Sequence, residues 1–407
     1  MRSNNDIFGS DSRFNFINLF INKDSNCNPG LNNSLSGSQI VFRKYNLFRY
    51  LFGPCVPGYE SEFIVLPCLS NPRWIIRSDK LNVENLGFFV KPTSKISRLI
   101  WFFSLLFNKF GFFGFLYRSR LYTKKINFEE YLSRVFPDLN LAISAIYTGA
   151  RSDEAKFIVQ LNSDLNKRFF CKIGFTEKAK HEIIRELEIL NRISNQFDVV
   201  VTPELINYNI FYYGDAVLFV MADTILENNT LSIELTKLDE KAFSEISFFG
   251  GVSSLVFLDF ILELFENNSI PVSKSILEKY NSVNVHICYC HGDYIPWNRL
   301  PYGDKLILLD WERYAQYPVF YDHINFIIHV GALIKKIPEK DCLELILSQV
   351  SRLVSVLRKN GVFMNEAEIN TSIISSLFCI YKNYIDNKNY KEDILPAYVM
   401  RVSSFLY

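Results

Sequence analysis

The hydrophobic pattern changes character three times along the chain. Residues 1–40 show no apolar period. Asn, Ser and Asp dominate there, with Asn-Pro-Gly and Ser-Gly-Ser turn signals, the composition of a loosely ordered segment. From Ile40 to Val90 short apolar runs (FIVLPCL, RWIIR, LGFFV) alternate with Pro, Gly and Asn, which predicts a small mixed unit containing strands. Near Phe136 the pattern becomes regular. ISAIYTG, AKFIVQL and, after the polar NSDLNK, RFFCKIGF predict three consecutive antiparallel strands. Ala179 to Ile193 then places Ile183, Leu187, Leu190 and Ile193 on one helical face. VVTPELINYN and AVLFVMA predict two more strands. From Asp239 onward the spacing is helical, broken only by VHICYCHGD and KLILLDWE. Five strands carrying one helix, followed by a larger helical part, predict a bilobal α+β fold. The expected division is an N-terminal extension over 1–135, a sheet lobe over 136–222 and a helical lobe over 223–407. No internal repeat is present.

Composition narrows this only slightly. The chain has 407 residues, 49% apolar and 21% charged, which excludes wholesale disorder and allows two or three packed units. Lys+Arg is 44 against Asp+Glu 43, so no global field recruits nucleic acid, and no nucleic-acid partner is expected. The eight cysteines include no CxxC pair. Cys288 and Cys290 are two apart, but no second Cys/His pair completes a zinc set. They read as reduced thiols. The opening MRSNNDIFGSDSRF lacks the apolar core of a signal peptide, so a cytoplasmic location is expected.

One stretch departs from the average. Between Asn85 and Phe128 there are eight basic residues and no acid, leaving +1 − 8 = −7 for the rest of the chain. Inside it, Leu99–Tyr117 carries one charge, Lys109, in nineteen residues. That is close to the roughly 20 apolar residues of a membrane span, but Lys109 and two glycines oppose a span. Beside a true span, two readings stand ahead of it: a helix buried against the sheet lobe, and an interfacial helix whose basic flanks (91–98 and 118–125) meet an anionic membrane surface. The second makes the protein peripheral at the inner face of the membrane through residues 91–125.

The chemistry concentrates in Tyr289–Asn298, YCHGDYIPWN, and in LILLDWE, Leu306–Glu312. An apolar strand ending in Asp310 presents a carboxylate at its end. Asp293 and Asn298 lie five residues apart in a loop just upstream. Two carboxylates and an amide oxygen are a hard-oxygen set suited to Mg²⁺ and the phosphates it carries. Asp293 is also placed to take a proton from an attacking hydroxyl. A lone Asp at a strand end is usually a turn cap, and a lone His-Gly-Asp is usually a loop. The combination is more specific than either. It resembles the aminoglycoside phosphotransferase and choline kinase family, relatives of the protein kinases, whose catalytic loop is HGDxxxxN and whose metal carboxylate begins a following D-[WF]-E. Both stand here without substitution. In the family the histidine is architectural, which His291 inherits, and Asp322 in YPVFYDHINF matches an Asp that starts a helix with a structural role.

The upstream half fits the same resemblance. A kinase-like site needs a Lys on the third strand, to hold the α/β-phosphates, and a Glu on the next helix to brace it. RFFCKIGF supplies Lys172. The helix supplies Glu186, while Glu188 lies about 200° around the axis, so the two cannot both face Lys172. The resemblance favours Glu186. The phosphate-covering turn YTGARSDEAK is glycine-poor, and Gly149 and Ser152 with nearby amides would cradle phosphate oxygens. FVMADT should form the adenine-facing connection, with backbone hydrogen bonds from Met221 to Asp223. Trp297 and Trp311 read as packing residues beside the loop.

The resemblance implies transfer of the ATP γ-phosphate to a hydroxyl with Mg²⁺ as cofactor. Asp293 would be the base, Asn298 and Asp310 the metal ligands, and Lys172 and Glu186 the nucleotide positioners. The acceptor is left open. FIVLPCLSNPRWIIR resembles uncharacterised phosphotransferase-like proteins of bacterial polysaccharide synthesis, which favours a sugar or glycan-intermediate hydroxyl. An aminoglycoside or other cationic small molecule is the alternative within the enzyme class. A pseudokinase scaffold is the alternative outside it, opposed by five intact site positions.

Overall fold

Strand-forming runs in the first half of the chain join into one sheet. The computed structural model describes residues 40–44, 61–68, 71–77, 103, 119–123, 126–148, 156–165, 167–223, 232–265, 273–386 and 394–406. The chain packs as two units, Met1–Leu187 with Glu204–Asp223, and Glu188–Pro203 with Thr224–Tyr407.

The first unit contains β1 (Ile40–Lys44), β2 (Ser61–Cys68), β3 (Asn71–Arg77), β4 (Ser119–Thr123), α1 (Asn127–Val135), β5 (Ala142–Tyr147), β6 (Lys156–Asn162) and β7 (Arg168–Gly174). After α2 (Glu177–Ile193) and β8 (Val200–Val201) it takes up β9 (Phe211–Tyr213) and β10 (Ala216–Ala222). Among the described residues nine strands form one antiparallel sheet in the order β1-β4-β2-β3-β5-β6-β7-β10-β9. The sheet runs through the expected boundary at residue 136, because β3 pairs with β5 (Trp74↔Tyr147, Ile75↔Ile146, Ile76↔Ala145). Helix α1 secures that seam. Its Phe128 and Leu132 are buried, and Glu129 Oε1 accepts from Arg77 Nη1 at 2.8 Å and from the Ile143 amide at 2.7 Å. One apolar cluster then takes residues from both segments, among them Phe63, Ile75, Leu121, Val159, Cys171 and Leu218.

The expected strand VVTPELINYN is not continuous. Val200–Val201 belongs to the second unit and pairs there in parallel with one of its strands. Pro203 cannot donate to a ladder, and pairing with β10 resumes only at Leu205↔Met221 and again in β9.

The second unit contains α3 (Lys237–Phe249), β11 (Ser253–Val256), α4 (Phe257–Phe265), α5 (Lys274–Tyr280), β12 (Asn284–Cys290), β13 (Arg299–Tyr302), β14 (Lys305–Leu308), β15 (Ala315–Pro318), α6 (Tyr321–His329), α7 (Glu339–Lys359), α8 (Glu366–Asp386) and α9 (Ile394–Ser403). Two three-stranded sheets, β11-β12-β15 and β13-β14-β8, sit among these helices. The core is built on Phe320, Ile324, Ile346, Leu353 and Leu377. The fold is α+β, as the pattern of periods predicts. Cys171, Cys288, Cys290, Cys342 and Cys379 are free and buried. Among the described residues no helix is long and apolar enough to cross a membrane. The stretch 99–117 lies outside the described residues except for Phe103.

Candidate active site

Residue alternation on β7 sets the surroundings of Lys172 in the first unit. Cys171 and Ile173 point into the core of the first unit, so Lys172 emerges on the opposite face. There its Nζ meets both carboxylate oxygens of Glu186, at 2.6 and 2.7 Å. Lys172 is 5% exposed and Glu186 0%. Glu188 is exposed, so the choice between the two acids is settled by which helical face meets the sheet. A second pair, Lys156 Nζ to Glu182 Oε2 at 3.1 Å, also ties α2 to the sheet.

In the second unit the motif residues lie in the loop after β12. The Asp322 carboxylate, in the first turn of α6, accepts from the His291 amide at 2.7 Å and the Gly292 amide at 2.9 Å. Gly292 has φ +83°, and a Cβ there would overlap the Arg313 carbonyl, so only glycine fits. The His291 ring accepts from the Asp293 amide at Nδ1 (3.3 Å) and lies 3.0 Å from the Leu309 carbonyl at Nε2. The two contacts together require the Nε2–H tautomer. His291 thus links the backbone of Asp293 to the residue before Asp310, an architectural role.

Asn298 Nδ2 donates to Asp293 Oδ2 at 2.8 Å and to the Asp293 carbonyl at 3.1 Å. The Leu309 amide donates to the Asn298 carbonyl at 2.9 Å. This extends the β13–β14 ladder, in which Arg299 pairs with Leu308, and brings Asp310 to the same hairpin end as Asn298. Asp310 has φ +68°, a left-handed conformation that Asp tolerates better than most residues. It reverses the chain into the turn Trp311–Arg313. Trp311 is buried, with Nε1 donating to the Leu308 carbonyl at 2.8 Å, and Trp297 packs edge-on against His329. Both tryptophans pack.

Charge is concentrated around this loop. Burial pushes the Asp322 carboxyl up to about 7, against its two amide donors, and Asp293 adds to the rise. Burial disfavours the Arg313 charge, but Asp293, Tyr321, Tyr317 and Asp310 outweigh it and hold the guanidinium charged. Sequence reasoning did not single out Arg313, although a cation three residues past Asp310 was visible. The donor set fits a hard divalent cation. Asp310 offers a carboxylate, and with its nitrogen engaged by Asp293, the Asn298 amide keeps its oxygen as a neutral ligand atom.

Four further residues are expected to contact nucleotide: Gly149, Ser152, Met221 and Asp223. Gly149 and Ser152 lie outside the described residues. The Ala222 and Asp223 amides donate to the Glu204 and Arg168 carbonyls at 2.8 and 3.0 Å. Those donors are spent within the sheet. Met221 pairs with Phe170 in the ladder, and the Asp223 carboxylate takes Arg168 Nε at 2.7 Å. Asp223 is thus an ion-pair partner of Arg168 in the first unit.

No protein-family profile matches the chain, and no curated protein matches it. Solved structures do. The choline kinase LicA from Streptococcus pneumoniae aligns over 69% of this chain and 97% of its own, at 13% identity and a TM-score of 0.42. A thermostable mutant of the aminoglycoside phosphotransferase APH(4)-Ia aligns over 68% of this chain and 98% of its own, at 10% identity and a TM-score of 0.44. The macrolide 2′-phosphotransferase MphH from Brachybacterium faecium covers 68% of this chain and 96% of its own, at 9% identity and a TM-score of 0.41. At 9–13% identity the likeness assigns no residue a role.

Proposed function

We propose that the protein is a phosphotransferase that moves the γ-phosphate of ATP to a hydroxyl of a small molecule, sugar or glycan intermediate. The observation that supports this best is the loop of the second unit. Asp293 is held by backbone and by Asn298, which is joined through one ladder bond to the residue before Asp310. In the reaction the acceptor oxygen attacks the γ-phosphorus, the bond from that phosphorus to the β–γ bridging oxygen breaks, and the hydroxyl proton passes to Asp293. Asn298 and Asp310 would hold Mg²⁺, which when bound neutralises phosphate charge. Lys172, oriented by Glu186, would position the α/β-phosphates, with Gly149 and Ser152 covering them. The favoured acceptor class rests on the resemblance of FIVLPCLSNPRWIIR, the segment of the β2–β3 hairpin, to phosphotransferase-like proteins of polysaccharide synthesis.

The test is ATP consumption by purified protein across sugars, nucleotide sugars, lipid-linked glycans, amino alcohols and aminoglycosides. Asp293→Asn should lower turnover by about 10²–10⁴-fold while leaving ATP affinity within a few-fold. A mutant retaining more than about a tenth of wild-type turnover would remove Asp293 from the role of base.

A further inference from the structure

Tyr294 and Arg299 each follow directly after a residue of the proposed site, Asp293 and Asn298. Their side chains run inward, and all three of Tyr294, Arg299 and Asp239 are buried, at 2%, 0% and 0% exposure. They converge on one carboxylate. Tyr294 Oη donates to Asp239 Oδ1 at 2.6 Å, Arg299 Nε donates to the same oxygen, and Arg299 Nη2 donates to Oδ2 at 2.5 Å.

The carboxylate is itself fixed from the other side. Asp239 is the third residue of α3, and its Oδ2 accepts from the Thr236 amide at 2.6 Å and the Thr236 hydroxyl at 2.9 Å, closing a capping box. Burial raises the Asp239 carboxyl, but the hydrogen bonds and charge of Arg299, then Tyr294 and Thr236, outweigh it and keep it ionised. Arg299 also donates to the Ser232 and Glu234 carbonyls at 3.4 and 3.2 Å. The Tyr294 ring stacks on His323 at 5.6 Å.

We propose that Asp239 is a positioning residue. By gripping Tyr294 and Arg299 it fixes the separation of Asp293 from Asn298, and so the relation of the base to the metal ligand. The inference rests on the phosphotransferase reading for its effect on turnover, but the grip itself does not. Apolar residues at 294 and 299 would satisfy a buried position as well. A desolvated ion pair in their place adds direction, since its hydrogen bonds hold only within a narrow range of geometry. Displacements of about 1 Å in a reacting group cost on the order of 10²-fold in rate.

Asp239→Asn strands a buried guanidinium and is at risk of misfolding, so the deciding variant is Tyr294→Phe, which removes one hydrogen bond and keeps the ion pair. It should keep a thermal midpoint within a few degrees of wild type. Amide exchange at Asp293 and Asn298 should become about ten-fold faster, with protection elsewhere unchanged. Turnover should fall about ten-fold with KM for MgATP within two-fold. Added to Asp293→Asn, the change should cause no further loss, because there is no longer a base to position. Unchanged exchange at 293 and 298 in a folded Tyr294→Phe protein would overturn the proposal, as would a full additional loss in the Asp293→Asn background. If the wild type transfers phosphate to no acceptor, the phosphotransferase reading fails while the exchange measurement still decides the grip.

Discussion

Glu186 and Glu188 stand two positions apart in one helix, yet one is fully buried on Lys172 and the other is in solvent. Their substitutions should therefore behave differently. Glu186→Gln takes the charge from a buried pair and should destabilise by about 3 kcal/mol, with a raised KM for MgATP. Glu188→Gln should change stability by less than about 0.5 kcal/mol. Urea unfolding and steady-state kinetics on both variants check this, and equal effects would show that burial does not separate them. Gly292 gives a sharper case. Its positive φ and the Arg313 carbonyl leave no room for a Cβ, so Gly292→Ala should move the loop and abolish turnover while the thermal midpoint falls. At this scale the sequence was informative because each proposed role has a residue type and a spacing: Lys172 to Glu186, Asp293 to Asn298, Asn298 to Asp310. It was silent on Asp239 and Arg299, whose partnership spans sixty positions and follows no local period. Nor does a local period show which ladder bonds a strand end forms: the Asp223 amide goes to the Arg168 carbonyl.

Strands and helices were legible wherever a period ran unbroken. β7 and β10 fall within the apolar runs that predicted them, β5 and β6 overrun theirs by one residue, and α2 buries Ile183, Leu187, Leu190 and Ile193 as its spacing requires. VVTPELINYN misled because its apolar residues straddle Pro203, and a proline divides the pairing whatever its flanks prefer. The segment before residue 136 misled differently. Its short runs look independent, but among the described residues β3 pairs with β2 on one side and β5 on the other, so both segments share one core. Removing residues 1–135 should then expose the β5 edge and the apolar faces that cover Ile143 and Ile146. A fragment of residues 136–407 should be recovered in inclusion bodies, or unfold well below the full chain. A monomeric fragment with the full-length thermal midpoint would show that the first four strands are dispensable.

Whole-molecule stability should carry the signature of three buried groups in α6. Burial lowers His323 to about 4, with Asp239, Arg299 and Arg352 as the charges around it. Burial also lowers His329 to about 4, beside Arg313, the Asn325 carbonyl and Tyr384. In the unfolded chain both would protonate near 6.5, so stability is complete above that pH and is lost as pH falls towards 4. Each imidazole removes about 1.4 kcal/mol per pH unit, roughly 2.7 together. Asp322 acts in the opposite sense. Its folded value of about 7 lies above the ordinary 3.8, so the folded state takes up its proton first and regains about 1.4 kcal/mol per unit between pH 7 and 3.8. Asp239, held below 3.8, titrates outside this window. The two histidines win. Net stability should fall by about 1 kcal/mol per unit from pH 6.5 to 5, read from urea midpoints. Asp322→Asn removes the compensating group and should roughly double the slope, whereas His329→Gln should bring it close to zero. A wild-type stability flat from pH 6.5 to 5, or a slope untouched by His329→Gln, would mean that these imidazoles find protons or partners inside the fold.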